Sequence, residues 1–315
     1  MHKKISKEQI AYMEDQFLQG RKTYTQIAMD LATKFGISVS SDTVRYFVTR
    51  KKKVKQTYRQ KLKNDGIEKV LVLSDLHIPF QREDILDVVK KHKHEVSTII
   101  FGGDVVDCYA VSSFPHLETN PLVYEMMETH KLLKQIQDIT PNIRKFMIIG
   151  NHEQRWSNYI AKNSSELNTL HSENILYEIV NGFSWHDRIK GITTKYDPLD
   201  YIVIDRWYMN YRDMIVAHPL NFSRVAAKTS SMALDYFVEH GEDFNVALIA
   251  HTHKIASCYK YGKLSVEIGC MCKEQEYANK GKLSYTMQLN GYHLAVFKEG
   301  KYAINDSKQI TLNTR

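Results

Sequence analysis

Five short apolar runs in this chain each end in a residue that can bind a metal ion. Residues 70–77 read VLVLSDLH, 99–107 IIFGGDVVD, 146–153 FMIIGNHE, 214–219 MIVAHP and 246–253 VALIAHTH. Three to five apolar residues rich in Val and Ile, broken off by Gly, Ser or His, are the pattern of strands buried on both faces. Such strands belong to an α/β fold, where functional groups collect at the carboxyl ends of the sheet. Asp75 and His77 stand two residues apart, so in extended chain they face the same way. Each run alone is a weak signal; five in this order restrict the chain to few architectures.

Length and composition fit that reading. The 315 residues suit one large domain and a small one, and 43% hydrophobic residues suffice for a sizeable core. No apolar run reaches the length of a membrane span, and the N-terminus lacks the apolar segment of a signal peptide. Cys108, Cys258, Cys270 and Cys272 form no CxxC pair and are expected to be reduced thiols. A soluble cytoplasmic protein is expected.

The charge is uneven. Residues 1–68 carry 15 Lys and Arg against 7 Asp and Glu, a net +8, while residues 69–315 carry 28 against 29, a net −1. Residues 45–63 hold nine basic side chains and no acid. Concentrated positive charge is either a solvated face or the footprint of polyanion binding.

Three helices are expected before residue 58. SKEQ at 6–9 and TYTQ at 23–26 are capping boxes, and Gly36 can end the second helix in the left-handed conformation. The first apolar face is Ile10, Met13, Phe17 and Leu18; the second is Ile27, Ala28, Leu31 and Ala32. Ser40, Ser41 and Asp42 offer caps for a third, basic helix, TVRYFVTRKKK, with Val44, Phe47 and Val48 inward. The arrangement resembles a helix-turn-helix DNA-binding module. Ser41, Thr43, Arg45 and Tyr46 are the candidates for groove contacts, with Arg50, Lys51, Lys52 and Lys53 near phosphates. A three-helix partner-docking unit has the same pattern. Domain limits of 1–58, a polar linker 59–68 and 69–315 follow.

The set DLH, GGDVVD, GNHE, AHP and AHTH resembles the calcineurin-like metallophosphoesterase superfamily over most of residues 69–300. With YAVSSF at 109–114 it looks most like the phosphoesterases of phages and prophages. The resemblance implies a four-layer α-β-β-α sandwich of two mixed sheets with a dinuclear metal site at the strand ends, here preceded by the small all-α domain. It also implies Asp75, His77 and His253 on one ion, Asp104 as the bridge, and Asn151, His218 and His251 on the other. Two close cations need a bridging carboxylate, and a water between them becomes a hydroxide nucleophile. This donor mix suits Mn first, with Fe, Zn or Ni as alternatives. His152 is implied as the group that protonates the leaving oxygen, oriented by Asp107, although Asp107 could instead cap the next helix. Arg155 is either a phosphate clamp or a surface arginine. Ala250 stands where the family usually has glycine, and the turn there is expected to survive.

Family protein phosphatases carry an arginine after the second aspartate of GDxxD; this chain has Cys108. The basic N-terminal region favours a polynucleotide, since DNA affinity grows with each neutralised phosphate. A metal-dependent DNA-directed phosphodiesterase or nuclease is the first expectation. A phosphomonoesterase or small-nucleotide phosphodiesterase with a docking module is the second, and a DNA-binding regulator with an idle catalytic domain the third. Residues 181–198 are the expected substrate loop, or equally an ordinary surface connection. The KHKH run at 91–94 is expected to be solvated, and Cys270, Met271 and Cys272 to be core.

Overall fold

The computed structural model describes residues 5–18, 24–39, 43–44, 66–113, 120–164, 166, 174–274 and 288–313. The chain divides into two compact units, Met1–Asp65 and Gly66–Arg315.

In the first unit, α1 (Lys7–Leu18) and α2 (Tyr24–Phe35) pack through Met13, Ile27, Leu31 and Val44, all fully buried. The first capping box forms as the sequence implies. The Gln9 amide N–H donates to Ser6 Oγ, and the Ser6 N–H donates to Gln9 Oε1. Helix α2 stops at Gly36, whose φ of 62° only glycine adopts without strain. Thr43 and Val44 are helical, at the expected start of the basic helix. Ser41, Arg45, Tyr46, Arg50, Lys51, Lys52 and Lys53 lie outside the described residues, as does the second capping box at Thr23.

The second unit contains β1 (Ile67–Leu73), α3 (Ile85–His92), β2 (Thr98–Phe101), α4 (Leu122–Ile139), β3 (Arg144–Ile148), α5 (Asn151–Asn163) and α6 (Ile175–Asn181). The hairpin β4 (Phe183–Asp187) and β5 (Ile192–Tyr196) follows, then β6 (Ile202–Ile204), β7 (Tyr208–Tyr211) and β8 (Met214–Ala217). The remainder is α7 (Lys228–Glu239), β9 (Val246–Ile249), β10 (Ile255–Lys260), β11 (Lys263–Ile268), β12 (Gly291–Lys298), β13 (Lys301–Tyr302) and β14 (Lys308–Thr311).

Two mixed sheets result. One runs β13-β12-β1-β2-β3-β6 with β14 beside β12, and the other runs β10-β11-β9-β8-β7. Strands β1, β2, β3 and β6 are mutually parallel, as are β8, β9 and β11. All five apolar runs are therefore strands, and their carboxyl ends lie together.

Alternation along the strands assigns the layers. Leu71, Leu73, Ile99 and Phe101 pack under helices α3, α4 and α6, through Val88, Val89, Leu133 and Ile179. Their neighbours Val70, Val72 and Ile100 face Met214, Val216, Val246 and Leu248 of the second sheet. The other side of that sheet, Ile215, Ala217, Ala247 and Ile249, is covered by Leu234 and Phe237 of α7. Period-two burial on both faces explains why these strands read as unbroken apolar runs.

Two expectations need correction. Residues 181–198 form mainly a hairpin rather than an open loop. Phe183 and Tyr196 stack on each other across it at 4.5 Å. His92 is buried, not solvated, bonded at Nδ1 to Glu95 and at Nε2 to Tyr292, while His94 is exposed. The CMC segment is buried core as expected, with Met271 in the cluster beneath the first sheet.

Candidate metal centre

The six aspartate and histidine ligand candidates converge from β1, β2, β8 and β9. Asp75, His77 and Asp104 offer ligand atoms within 4.8 Å of one another, and so do Asp104, His218 and His251. Asp104 is common to both groups. Its Oδ2 lies 3.7 Å from His77 Nε2 and 3.2 Å from His218 Nε2. His253 Nε2 is 3.2 Å from both Asp75 Oδ1 and His77 Nε2. Asn151 enters from the first turn of α5, its Oδ1 3.1 Å from His218 Nε2.

The backbone is bent to deliver them. Asp75, His77, Asp104, His251 and His253 all have φ between 49° and 72°, a region that costs a non-glycine residue roughly 1–3 kcal/mol and collects at functional sites. Close approach also requires two glycines. A Cβ on Gly103 (φ +88°) would fall 2.6 Å from His218 Nδ1, and one on Gly150 would fall 2.1 Å from Asp104 Oδ1. Ala250 is buried, and the turn after it closes through the Thr252 N–H and the Ala250 carbonyl at 2.9 Å. Alanine thus serves in the family's usual glycine position.

The donor chemistry fits cations. His218 donates its Nδ1 proton to the Gly102 carbonyl at 2.8 Å, which turns Nε2 toward the Asp104 carboxylate. A proton or a metal ion on Nε2 supplies the positive charge that carboxylate calls for. Burial acts to lower the His218 pKa, yet Asp104 overrides it and lifts it to about 9. His251, by contrast, is pushed down to about 4 by burial and by His218. Burial works against ionised Asp104, but the histidines His152, His218 and His77 hold its carboxyl well below the usual range.

His152 sits beside this group. Its Nδ1 lies 2.9 Å from the Asp107 carbonyl and 3.3 Å from the Asp107 carboxylate. Asp107 Oδ2 also accepts from His77 Nδ1 at 2.9 Å, so one carboxylate orients both rings. Asp107 therefore faces histidines rather than serving only a helix end. Burial would lower the His152 pKa, and Arg155 lowers it too, but Asp104 and Asp107 prevail and raise it. Arg155 is not a free surface arginine. Its guanidinium bonds Asp107 at 3.1 Å and His152 Nε2 at 2.8 Å.

Sequence reasoning missed several contributors. The fully buried Glu153 carboxylate accepts from the N–H groups of Asp104, Val105, Val106 and Gly150 at 2.6–3.1 Å. Burial and the Asp104 charge lift its pKa to about 7. Glu153 lies three residues after Gly150 at a helix start, the position from which an acid reaches back to free N–H groups. Glu125 of α4 likewise accepts from Tyr109 and Ala110. Phe222 is 46% exposed, its ring 6.2 Å from that of His251, with Lys254 Nζ 4.6 Å from its centroid. Nothing in the sequence of its loop marks it.

Residues 68–255 match the calcineurin-like phosphoesterase family, and the chain belongs to it. It is accordingly a hydrolase of phosphoric ester bonds. No curated protein sequence matches the chain. Solved structures that resemble it include an archaeal phosphodiesterase at 13% identity, covering 78% of this chain and 99% of that one, with a TM-score of 0.38. Vacuolar protein sorting 29 from Cryptosporidium parvum is similar at 12% identity, 78% and 98% coverage and a TM-score of 0.33. A metallophosphoesterase from Sphaerobacter thermophilus shares 13% identity, with 78% and 89% coverage and a TM-score of 0.33. Similarity at this level adds nothing to the assignment, which rests on the family match. Among the described residues, no helix is long and apolar enough to cross a membrane.

Proposed function

We propose that this chain is a dinuclear metal-dependent phosphodiesterase acting on DNA. The observation that carries the metal reading is the shared position of Asp104 between two ligand groups, one toward Asp75 and His77, the other toward His218 and His251. Asp75, His77 and His253 would hold one divalent ion, Asn151, His218 and His251 the other, with Asp104 between them. Ions held there lower the pKa of water and polarise phosphoryl oxygens. The donor set of carboxylate, amide and imidazole accepts Mn, Fe, Zn or Ni.

His152 is the proton donor to the leaving oxygen. Its Nδ1 is committed to Asp107, which leaves Nε2 as the working atom; Nε2 here accepts from Arg155, so the guanidinium must turn from it toward substrate before a protonated ring can donate. Arg155, held by Asp107 beside that atom, is placed to pair a phosphoryl oxygen.

The diester and DNA reading rests on the +8 charge of residues 1–68 and on Cys108 where protein phosphatases of the family carry arginine. The test is a panel of bis-p-nitrophenyl phosphate, p-nitrophenyl phosphate, and single- and double-stranded DNA, with metal analysis. Cleavage of the diester and of DNA is expected. Activity confined to the monoester would replace this reading with a small-substrate phosphatase whose N-terminal unit docks a partner.

A further inference from the structure

Cys272 is buried, and its Sγ lies with ring nitrogens of His77 and His253 in a group whose atoms are all within 4.8 Å of one another. Met271 packs in the cluster beneath the first sheet, alternation sends Cys270 and Cys272 to the other side, and Cys272 meets the imidazoles of His77 and His253 there. The segment is fixed against the loop that carries the ligands. The Met271 N–H donates to the Ser74 and Asp75 carbonyls, and Cys272 bridges Gln81 as an antiparallel neighbour. The Cys272 carbonyl accepts from the Asn290 amide at 2.7 Å. The sulfur is therefore held in register with His77.

We propose that Cys272 is a further ligand of the ion shared by Asp75, His77 and His253. The proposal rests on the metal reading above and deepens it. The thiol would bind as thiolate, its proton passing to solvent as the metal–sulfur bond forms. A soft ligand beside two imidazoles shifts that position from manganese toward zinc, iron or cobalt.

The experiment loads the full chain with Co(II) and records its near-ultraviolet spectrum, which carries an intense sulfur-to-cobalt charge-transfer band only when a thiolate is bound. Wild type is expected to show the band, Cys270→Ser to keep it, and Cys272→Ser to lose it. Cys272→Ser should also lower the preference for zinc over manganese by at least about 10-fold, since even outer-shell partners are worth 10–100-fold in metal affinity. A wild type that binds cobalt without the band overturns the proposal and leaves the metal reading standing. A band that survives Cys272→Ser, or vanishes in Cys270→Ser alone, also overturns it. A chain that binds no cobalt removes both. The wild-type and Cys270→Ser spectra decide the matter even if Cys272→Ser does not fold.

Discussion

The two units of the chain carry their charge in opposite ways. In the phosphoesterase unit, Asp75, Asp104, Asp107 and Glu153 are almost wholly buried, and each faces named donors or imidazoles. In the N-terminal unit the charge is a run of nine basic residues in 45–63 with no acid among them. Buried charge is costly unless partners are fixed, so its placement specifies chemistry atom by atom. A run of like charge specifies only the sign of a partner. The phosphoesterase unit is consequently read from geometry and the N-terminal unit from electrostatics.

The most damaging change to the buried network is Asp104→Asn, which removes the charge common to both ligand groups. Activity should be abolished and metal content should fall, with the fold retained by circular dichroism; an active, metal-replete variant breaks the comparison at its strongest point. His152→Ala should slow turnover by roughly 10²–10⁴-fold while leaving metal content unchanged. Its loss should shrink on nitrophenyl esters, which need little help in leaving. If metal content falls as well, His152 is a ligand.

A subtler effect is expected at Glu153, which binds no substrate but gathers four N–H groups around the Asp104 loop. Glu153→Gln forfeits acceptor capacity at a buried site and should cost about 1–3 kcal/mol of stability, measured by denaturant unfolding. An unchanged midpoint would mean the loop is held by its strands alone. The mildest effect should come from replacing Arg50, Lys51, Lys52 and Lys53 with alanine. Hydrolysis of a small diester should not change, whereas DNA binding should weaken and its dependence on salt flatten, each lost phosphate contact lowering the slope by about 0.9. Equal slopes would make the N-terminal unit a protein-docking element.

Much of the phosphoesterase unit was legible because burial on both faces leaves unbroken apolar strands, and because the ligand types stand at their ends. The close approach of Gly103 to His218 and of Gly150 to Asp104 matches the glycines the motifs contain. What escaped depends on long-range packing. Glu153 and Glu125 read as ordinary helical acids until the loop they hold is in place. The facing of Cys272 depends on which side of the segment Met271 takes, and an apolar run does not reveal that. The hairpin of residues 181–198 was hidden because its polar turn and scattered aromatics resemble an open loop. His92 looked solvated beside its lysines, yet Tyr292, two hundred residues away, receives it.

The central claim is that Asp104 is shared by two cations. Isothermal titration of the metal-free full chain with Mn(II) or Zn(II), read beside activity on bis-p-nitrophenyl phosphate, tests it most directly. Two ions per chain are expected, with activity rising as the second site fills and both effects lost in Asp104→Asn. Saturation of activity at one ion per chain, or two-ion binding untouched by Asp104→Asn, would contradict the account.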